Sequence, residues 1–230
     1  MRVTNVQSDR MNGDGLEQTT ENEMRKRLTA QTRKAVILRQ SKRLFARKGL
    51  HGVSVDELAR ACTMSPAVLY QHFPSKESLY KAVLDEIACS RDAYVDAILA
   101  GPDEFGAVLY RTMLVYVTSR IKDVDAVRIE LRSIIDGDKI SKTFFKNQWK
   151  GFTEYIEASV KELIKNGVIA NVDARVAALC YVGMLRELII ARALGVGDGC
   201  TDRPLEQVVK EVHILFMRLL GLPGQTVILD

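Results

Sequence analysis

The chain has few of the residues that catalysis, metal binding or membrane insertion would require. Its four cysteines form no CxxC pair, and its three histidines lie far from them and from one another, so no metal, cofactor or catalytic site is expected. No Gly-rich phosphate loop is present. The most apolar stretch, residues 177–194, is interrupted by three charged side chains and predicts no membrane span. Unpaired thiols and the lack of an apolar leader predict a cytoplasmic location.

Sustained alternation of apolar and polar residues is also missing, so we expect essentially no β-sheet. Apolar residues recur instead at helical spacing, and glycines such as Gly49, Gly167 and Gly195 follow the periodic segments as helix stops. The predicted fold class is all-α, with about nine helices. The first helix is expected to begin at Thr29 or Thr32 and the fourth to continue to about Ile98.

Charge is distributed unevenly along the chain. The whole sequence has a net charge of +4, but residues 24–76 contain 12 basic and 2 acidic side chains and so carry +10. The remainder therefore carries −6. A basic block of this kind predicts a polyanionic partner at one end of the molecule, although a merely solvated basic helix face is the alternative.

Within the basic block, residues 54–76 show the local signals of two short helices and the start of a third. Ser54 with Glu57 forms a predicted capping box. Ser65 followed by Pro66 predicts another helix start, and Ser75 a third after the stop at residue 74. Two short helices with a tight break between them are typical of a helix-turn-helix, whose second helix enters the DNA major groove.

The same region carries the spaced elements of a known family. They read LFARKGLHGVSV from residue 44, ELA from 57, LYQHF from 69 and SKESL from 75. In order and distance these elements resemble the DNA-binding domain of TetR-family transcriptional regulators, over about residues 30–85. Two positions depart from the family's pattern, because Thr63 and Ala67 stand where glycine is common. Thr63 implies either a turn without positive φ or a turn that tolerates strain.

The resemblance implies a domain organisation and a set of DNA contacts. Residues 1–28 would be a disordered polar tail, 29–75 the helix-turn-helix domain, 76–221 a helical effector-binding and dimerisation domain, and 222–230 a C-terminal tail. Base edges would be read by the exposed positions of the second short helix, and phosphates would be bound around them. The candidate DNA-binding residues are Ser54, Pro66, Ala67, Val68, Tyr70, Gln71, His72 and Lys76. Tyr70 as a core residue and His72 as a plainly exposed one remain the alternatives.

The resemblance also implies a homodimer built from the last two long helices and an effector pocket within the helices after the third. The candidate dimer residues are Ala177, Cys180, Met184, Leu188, Ala191, Val208, Val212, Leu215, Phe216 and Leu219. The candidate pocket residues are Tyr110, Met113, Tyr116, Trp149, Phe152, Tyr155, Tyr181 and Met184. For both sets, packing in the chain's own core is the competing interpretation. Arg128 and Arg132 are expected to form surface ion pairs rather than to bind an acidic ligand.

Together these observations predict a ligand-responsive repressor that binds double-stranded DNA as a homodimer on a palindromic operator. It would not be an enzyme, would carry no cofactor and would have no membrane partner. The alternative is a helical adaptor that keeps the fold without binding an operator. The sequence names neither the operator nor the effector.

Overall fold

A computed structural model describes residues 13–89, 104–197 and 202–223, and all regular structure in these ranges is α-helical. The all-α prediction is confirmed. The helices are α1 (Gly13–Lys48), α2 (Val55–Ala61), α3 (Pro66–His72), α4 (Lys76–Cys89), α5 (Phe105–Lys122), α6 (Val124–Asp136), α7 (Lys139–Lys165), α8 (Ala174–Leu194) and α9 (Leu205–Leu219). Within the same ranges, no helix has both the length and the apolar character that a bilayer crossing demands.

Helix α1 is longer than the sequence indicated. It begins at Gly13, whereas the prediction placed a disordered tail through residue 28 and a helix start at Thr29 or Thr32. Once a helix is nucleated, each added residue gains one backbone hydrogen bond, and residues 13–28 contain no proline to stop this extension. Residues 1–12 lie outside the described part, as do the predicted end of α4 near Ile98 and most of the C-terminal tail.

The short helices begin at the predicted caps. The Ser54 hydroxyl accepts a hydrogen bond from the Glu57 backbone N–H at 3.2 Å, and the Ser65 hydroxyl accepts one from Val68 at 3.3 Å. At the start of α4, the backbone N–H of Ser78 donates to the Ser75 hydroxyl at 3.0 Å. Each hydroxyl satisfies a backbone donor that the helix leaves without a partner, so these local signals fix where the helices start.

Helices α1 to α4 enclose a first hydrophobic core around Phe45, Leu69 and Phe73. This core also contains Ile129 of α6 and Phe145 of α7. The N-terminal helices therefore pack directly on the later part of the chain, on both α6 and the start of α7. The predicted domain boundary at residue 76 divides the chain by sequence, but the packing continues across it.

Contacts between polar groups reinforce this junction. The Lys42 ammonium of α1 lies 2.6 Å from a carboxylate oxygen of Asp123, which caps α6. At the other end of α6, the Arg132 guanidinium donates to the backbone carbonyl of Ala46 at 3.0 Å and also to that of Arg47. These carbonyls belong to the last turn of α1 and lack helical partners, so Arg132 satisfies them while it joins α6 to α1.

The second core lies between α5, α6, α7, α8 and α9. Tyr181 of α8 is fully buried at its centre, and its hydroxyl donates to the Leu109 carbonyl at 3.0 Å. Burial raises the pKa of Tyr181 well above its ordinary value. The centre of its ring lies 4.6 Å from the ring centre of Phe216, so α9 packs against α8 at this point.

Candidate DNA-binding surface and helical core

The turn between α2 and α3 places Thr63 in the left-handed region, with φ of +56°. The backbone N–H of Thr63 donates to the Arg60 carbonyl at 3.1 Å, and that of Met64 donates to the Ala59 carbonyl at 3.0 Å. These two bonds form a Schellman motif, in which the first residue after the helix C-cap adopts the left-handed conformation. That residue is usually glycine, and here it is Thr63. Of the two alternatives from the sequence, the turn that tolerates strain is the one observed.

Helix α3 divides into a buried face and an exposed face. Leu69 and Phe73 are buried in the first core, as their four-residue spacing predicted. The opposite face exposes Pro66, Ala67 and Gln71 to solvent. A short helix with small and polar side chains on its exposed face can fit into the DNA major groove.

The remaining candidate DNA-binding residues lie at the edges of this face. Tyr70 is 48% exposed and is therefore not a core residue. Val68 and His72 are half-buried, and Ser54 is exposed at the start of α2. The eight candidates thus all retain surface that a ligand could contact, and none is enclosed in the core.

Lys76, at the first turn of α4, already has a partner in the described structure. Its ammonium donates to the Val53 carbonyl at 3.0 Å, and its side chain is half-buried. Sequence reasoning missed this contact because the two residues are 23 positions apart. An ammonium carries three donors, so two remain for an anion while the bond to Val53 fixes where the group points.

The basic block is partly neutralised within the chain. Lys42 pairs with Asp123 at 2.6 Å, and Lys48 pairs with Glu57 at 2.7 Å. Lys34 places its ammonium 5.8 Å from the centre of the Phe73 ring. Exposed basic side chains remain along α1, namely Arg33, Arg39, Arg43 and Arg47. Exposed basic side chains of this kind attract a polyanion over long range.

The aromatic residues predicted to line an effector pocket pack against one another. The ring centre of Trp149 lies 4.9 Å from that of Tyr116 and 6.4 Å from that of Phe152. The ring centres of Phe152 and Tyr181 are 5.8 Å apart. Met113 is fully buried. These contacts favour core packing, the competing interpretation, in the conformation described.

The other pocket candidates are divided between the core and the surface. Tyr110 is half-buried beside His213, with the ring centres 5.5 Å apart, and Met184 is half-buried on α8. Tyr155 is 38% exposed. The expected surface pairs of α6 are present, with Arg128 at 3.5 Å from Asp125 and the Arg132 guanidinium at 3.9 Å from Asp136.

The predicted dimer residues are also divided. Ala177, Leu188, Val208 and Phe216 are buried in the chain's own core and have little surface left for a partner. Cys180, Met184, Ala191 and Val212 are half-buried. Leu215 and Leu219 are each 59% exposed.

Sequence reasoning missed two exposed residues on the neighbouring helix. Val176 and Leu179 of α8 are 53% and 69% exposed, and Gly183, which follows at helical spacing, is exposed too. These residues and the exposed leucines of α9 place apolar side chains on the surface of both helices, and the predicted dimer interface remains a prediction.

No group of three or more histidine, cysteine, aspartate or glutamate side chains suited to a metal ion occurs in the described ranges. Cys62 is buried, and burial raises the pKa of its thiol. His213 is fully buried between α5 and α9, and desolvation lowers its pKa to about 4. These groups are therefore enclosed neutral side chains rather than accessible reactive ones.

Comparison with known proteins finds regulators. Residues 37–83 match the family model described as bacterial regulatory proteins of the tetR family. The HTH-type transcriptional regulator UidR of Escherichia coli K12 is 36% identical over 55 residues, which are 24% of this chain and 28% of that regulator. The chain thus spans less than a third of the length of this curated relative.

Solved structures extend the likeness beyond the helix-turn-helix. The TetR-family regulator PfmR from Thermus thermophilus is 25% identical, with 79% of this chain and 97% of that chain covered and a TM-score of 0.59. FadR from Bacillus subtilis, solved in complex with stearoyl-CoA, is 15% identical, with 79% and 96% covered and a TM-score of 0.62. The second of these likenesses is one of fold alone.

Two short capped helices at a tight turn, a basic first helix and a helical core define an all-helical protein of the helix-turn-helix class. The family match covers the turn and both of its helices, and the solved neighbours share the fold over most of their length. Residues 37–83 thus match the tetR family of bacterial regulatory proteins, and the described helices share the fold of a TetR-family regulator.

Proposed function

We propose that the chain is a transcriptional repressor that binds a palindromic operator as a homodimer and releases it when a small ligand binds the helical core. The observation that carries the proposal is the exposed face of α3, where Pro66, Ala67 and Gln71 are open to solvent while Leu69 and Phe73 anchor the helix. A helix held this way can enter the major groove without rearrangement of its own core.

The exposed face suggests how sequence would be read. Gln71 is the one side chain among these three that can form a bidentate contact with adenine. Pro66 and Ala67 offer apolar contact with thymine methyl groups and respond to the shape of the groove. Gln71 is therefore assigned base recognition, and replacement of Gln71 by alanine should relax sequence preference at one position in each half-site.

Around this face, Tyr70, His72 and Ser54 are assigned to phosphates, together with Lys76. The Lys76 ammonium is held by the Val53 carbonyl at 3.0 Å and lies at the N-terminal end of α4, where the helix dipole favours an anion. Phosphate contacts set register and affinity but do not specify sequence.

Two copies are needed to specify a site, and the exposed apolar face on α8 and α9 supports this pairing. Val176, Leu179, Leu215 and Leu219 would meet their own equivalents across a two-fold axis. Paired recognition helices must lie about 34 Å apart to enter successive major grooves. Any ligand that changes the angle between the N-terminal helices and the core would change this spacing.

A mobility-shift assay with DNA from upstream of the chain's own gene tests the central claim. The wild type should bind with an affinity that falls steeply as salt rises, and a Gln71→Ala variant should lose discrimination against base changes in the half-site. A folded dimer that binds no DNA at any salt concentration would favour the alternative, a helical adaptor without an operator.

Sedimentation tests the dimer separately. Leu215→Asp places two like charges in a symmetric apolar interface and should raise the dimer dissociation constant at least about 100-fold, or ~2.7 kcal/mol. Ile134→Asp is the matched control, because Ile134 is 53% exposed on α6 rather than on α8 or α9. If Leu215→Asp raised the dimer dissociation constant no more than Ile134→Asp does, the interface would lie elsewhere.

The relatives offer one guide to the effector. FadR from Bacillus subtilis was solved with stearoyl-CoA, so acyl thioesters of coenzyme A are reasonable first compounds to test here. A ligand that binds the core to saturation and leaves operator affinity unchanged would refute the proposed coupling.

A further inference from the structure

A nearly buried carboxylate lies between three helices of the second core. Glu130 of α6 has a side chain only 12% exposed. One of its oxygens accepts a hydrogen bond from the Trp149 indole at 2.9 Å and lies 3.6 Å from the Arg186 guanidinium. Only the carboxylate of this pair is largely removed from water, and a charge in that position must be paired and hydrogen-bonded, as Glu130 is here.

Arg186 is an unusual residue for its position. It lies in the middle of α8, a helix whose sequence from Ala174 to Leu185 has one charged residue, Arg175, near its start. Its side chain is 34% exposed, and with Glu130 and Trp149 it lines a small cleft between α6, α7 and α8. Apolar side chains line the rest of this cleft, namely Val127, Leu131, Ile189 and Ile190.

The pair leaves binding capacity unused on the arginine. A guanidinium has five N–H donors and holds a carboxylate best through two parallel hydrogen bonds. The contact between Arg186 and Glu130 is longer than a hydrogen bond. The free volume beside them is about 10 Å³, which is enough for one water molecule and no more. A larger ligand therefore needs a rearrangement of the side chains that line the cleft.

We propose that Arg186 binds the acidic group of the effector, and that Glu130 occupies this position until the effector replaces it. The inference rests on the proposed ligand response and adds the chemical class of the ligand, an organic anion with an apolar chain. The charged group would form two bonds to Arg186, and the chain would lie against the apolar side chains of the cleft and the ring of Trp149.

Helix α6 gives this exchange a route to the DNA-binding helices. Glu130 and Arg132 are two residues apart, so they lie on different faces of the same helix. Arg132 donates to the carbonyls at the end of α1, and Asp123 at the start of α6 holds Lys42 of α1 at 2.6 Å. The two ends of α6 therefore both contact the last turns of α1, and a ligand that moved α6 on displacing Glu130 would act on α1 through these contacts.

Trp149 is the chain's one tryptophan and lies in direct contact with Glu130, so its fluorescence reports on the site without any DNA. The probes are butanoate, octanoate and dodecanoate, each compared with its uncharged amide. At least one carboxylate should change the Trp149 emission to saturation, with an affinity at least about tenfold above that of its amide, or ~1.4 kcal/mol. Equal responses to acid and amide, or none to either, would overturn the proposal.

Substitutions test the roles of the two charges. Glu130→Gln keeps an acceptor for Trp149 and removes the competing carboxylate, so it should bind the carboxylate about tenfold more tightly than the wild type. The double variant Glu130→Gln with Arg186→Gln buries no lone charge and should show no preference for acid over amide. Arg175→Gln, also on α8 but 86% exposed at its side chain, is the control and should behave as the wild type. A double variant that retains the preference would remove Arg186 from the site.

The mobility-shift assay run in parallel separates this inference from the proposed function. A chain that binds upstream DNA but shows no preference for carboxylates would refute the inference alone. A chain that binds carboxylates through Arg186 but binds no DNA would refute the proposed function and leave the anion site standing.

Discussion

Replacement of Thr63 by glycine should stabilise the protein, although it removes a side chain. Thr63 has a φ of +56°, and the residue is exposed. The left-handed conformation costs a residue with a Cβ about 1–2 kcal/mol. Glycine avoids this cost but loses more backbone entropy on folding, roughly 0.5–1 kcal/mol. The expected net gain is about 0.75 kcal/mol, the difference between the midpoints of the two ranges.

The assay is urea unfolding followed by far-ultraviolet circular dichroism, with the free energy of unfolding compared at equal slope. Thr63→Asn should give part of the gain, because asparagine tolerates the left-handed region better than threonine does. Thr143→Gly is the control, since Thr143 is an exposed residue within α7. There the same exchange should destabilise by roughly 0.3 kcal/mol.

Strain at Thr63 would be contradicted if Thr63→Gly lowered the free energy of unfolding, or if both glycine variants changed it in the same direction. Either result would mean that the Schellman turn between α2 and α3 is not strained at Thr63. The operator affinity of the Thr63→Gly variant should stay within about threefold of the wild type, because the hydrogen bonds of the turn come from the backbone.

Three further predictions concern charges. Lys76→Ala should weaken binding to all DNA sequences alike and lower the slope of log affinity against log salt by about one, measured by mobility shift; a change in sequence preference instead would contradict its assignment to phosphate. The pKa of His213 is lowered to about 4 in the folded chain, so below about pH 6.5 the unfolded chain binds the proton first and stability falls until about pH 4. The free energy of unfolding, measured by urea titration, should fall by roughly 2 kcal/mol between pH 7.5 and pH 5. The substitution His213→Phe should abolish this fall, whereas His51→Gln, at an exposed histidine, should leave it unchanged. Arg132→Met removes two hydrogen bonds to the last turn of α1 and should cost about 1 kcal/mol in urea unfolding, whereas Arg128→Met, which loses only a surface ion pair, should cost under about 0.5 kcal/mol.

The parts of the fold that the sequence predicted are those set by local chemistry. Ser54 and Ser65 cap the helices expected of them, because a hydroxyl beside free backbone N–H groups acts within a few residues. Gly195 ends α8 for a similarly local reason, with φ of +66°. The start of α1 at Gly13 was missed because that segment has no stop signal, and the composition of a polar helix resembles that of a disordered tail.

Contacts between distant residues were the least predictable part of the candidate sites. Helix α8 is apolar on most of its faces, so its periodicity does not show which residues point outward. Ala177 was expected at an interface and is buried, whereas the exposed Leu179 was not named. The bond from Lys76 to Val53 and the pair of Glu130 with Arg186 depend on tertiary packing that no local pattern encodes.

The packing of α6 against α1 limits how this chain could be recombined with other helix-turn-helix proteins. The core of helices α1 to α4 contains Ala126, Ile129 and Phe145, all buried and all from beyond the family-matched segment of residues 37–83. A chimera cut after α4 would expose that apolar surface and leave the end of α1 without Arg132. A working exchange of operator specificity should therefore transplant the exposed residues of α3 alone, or move α1 to α4 together with the facing side chains of α6 and α7.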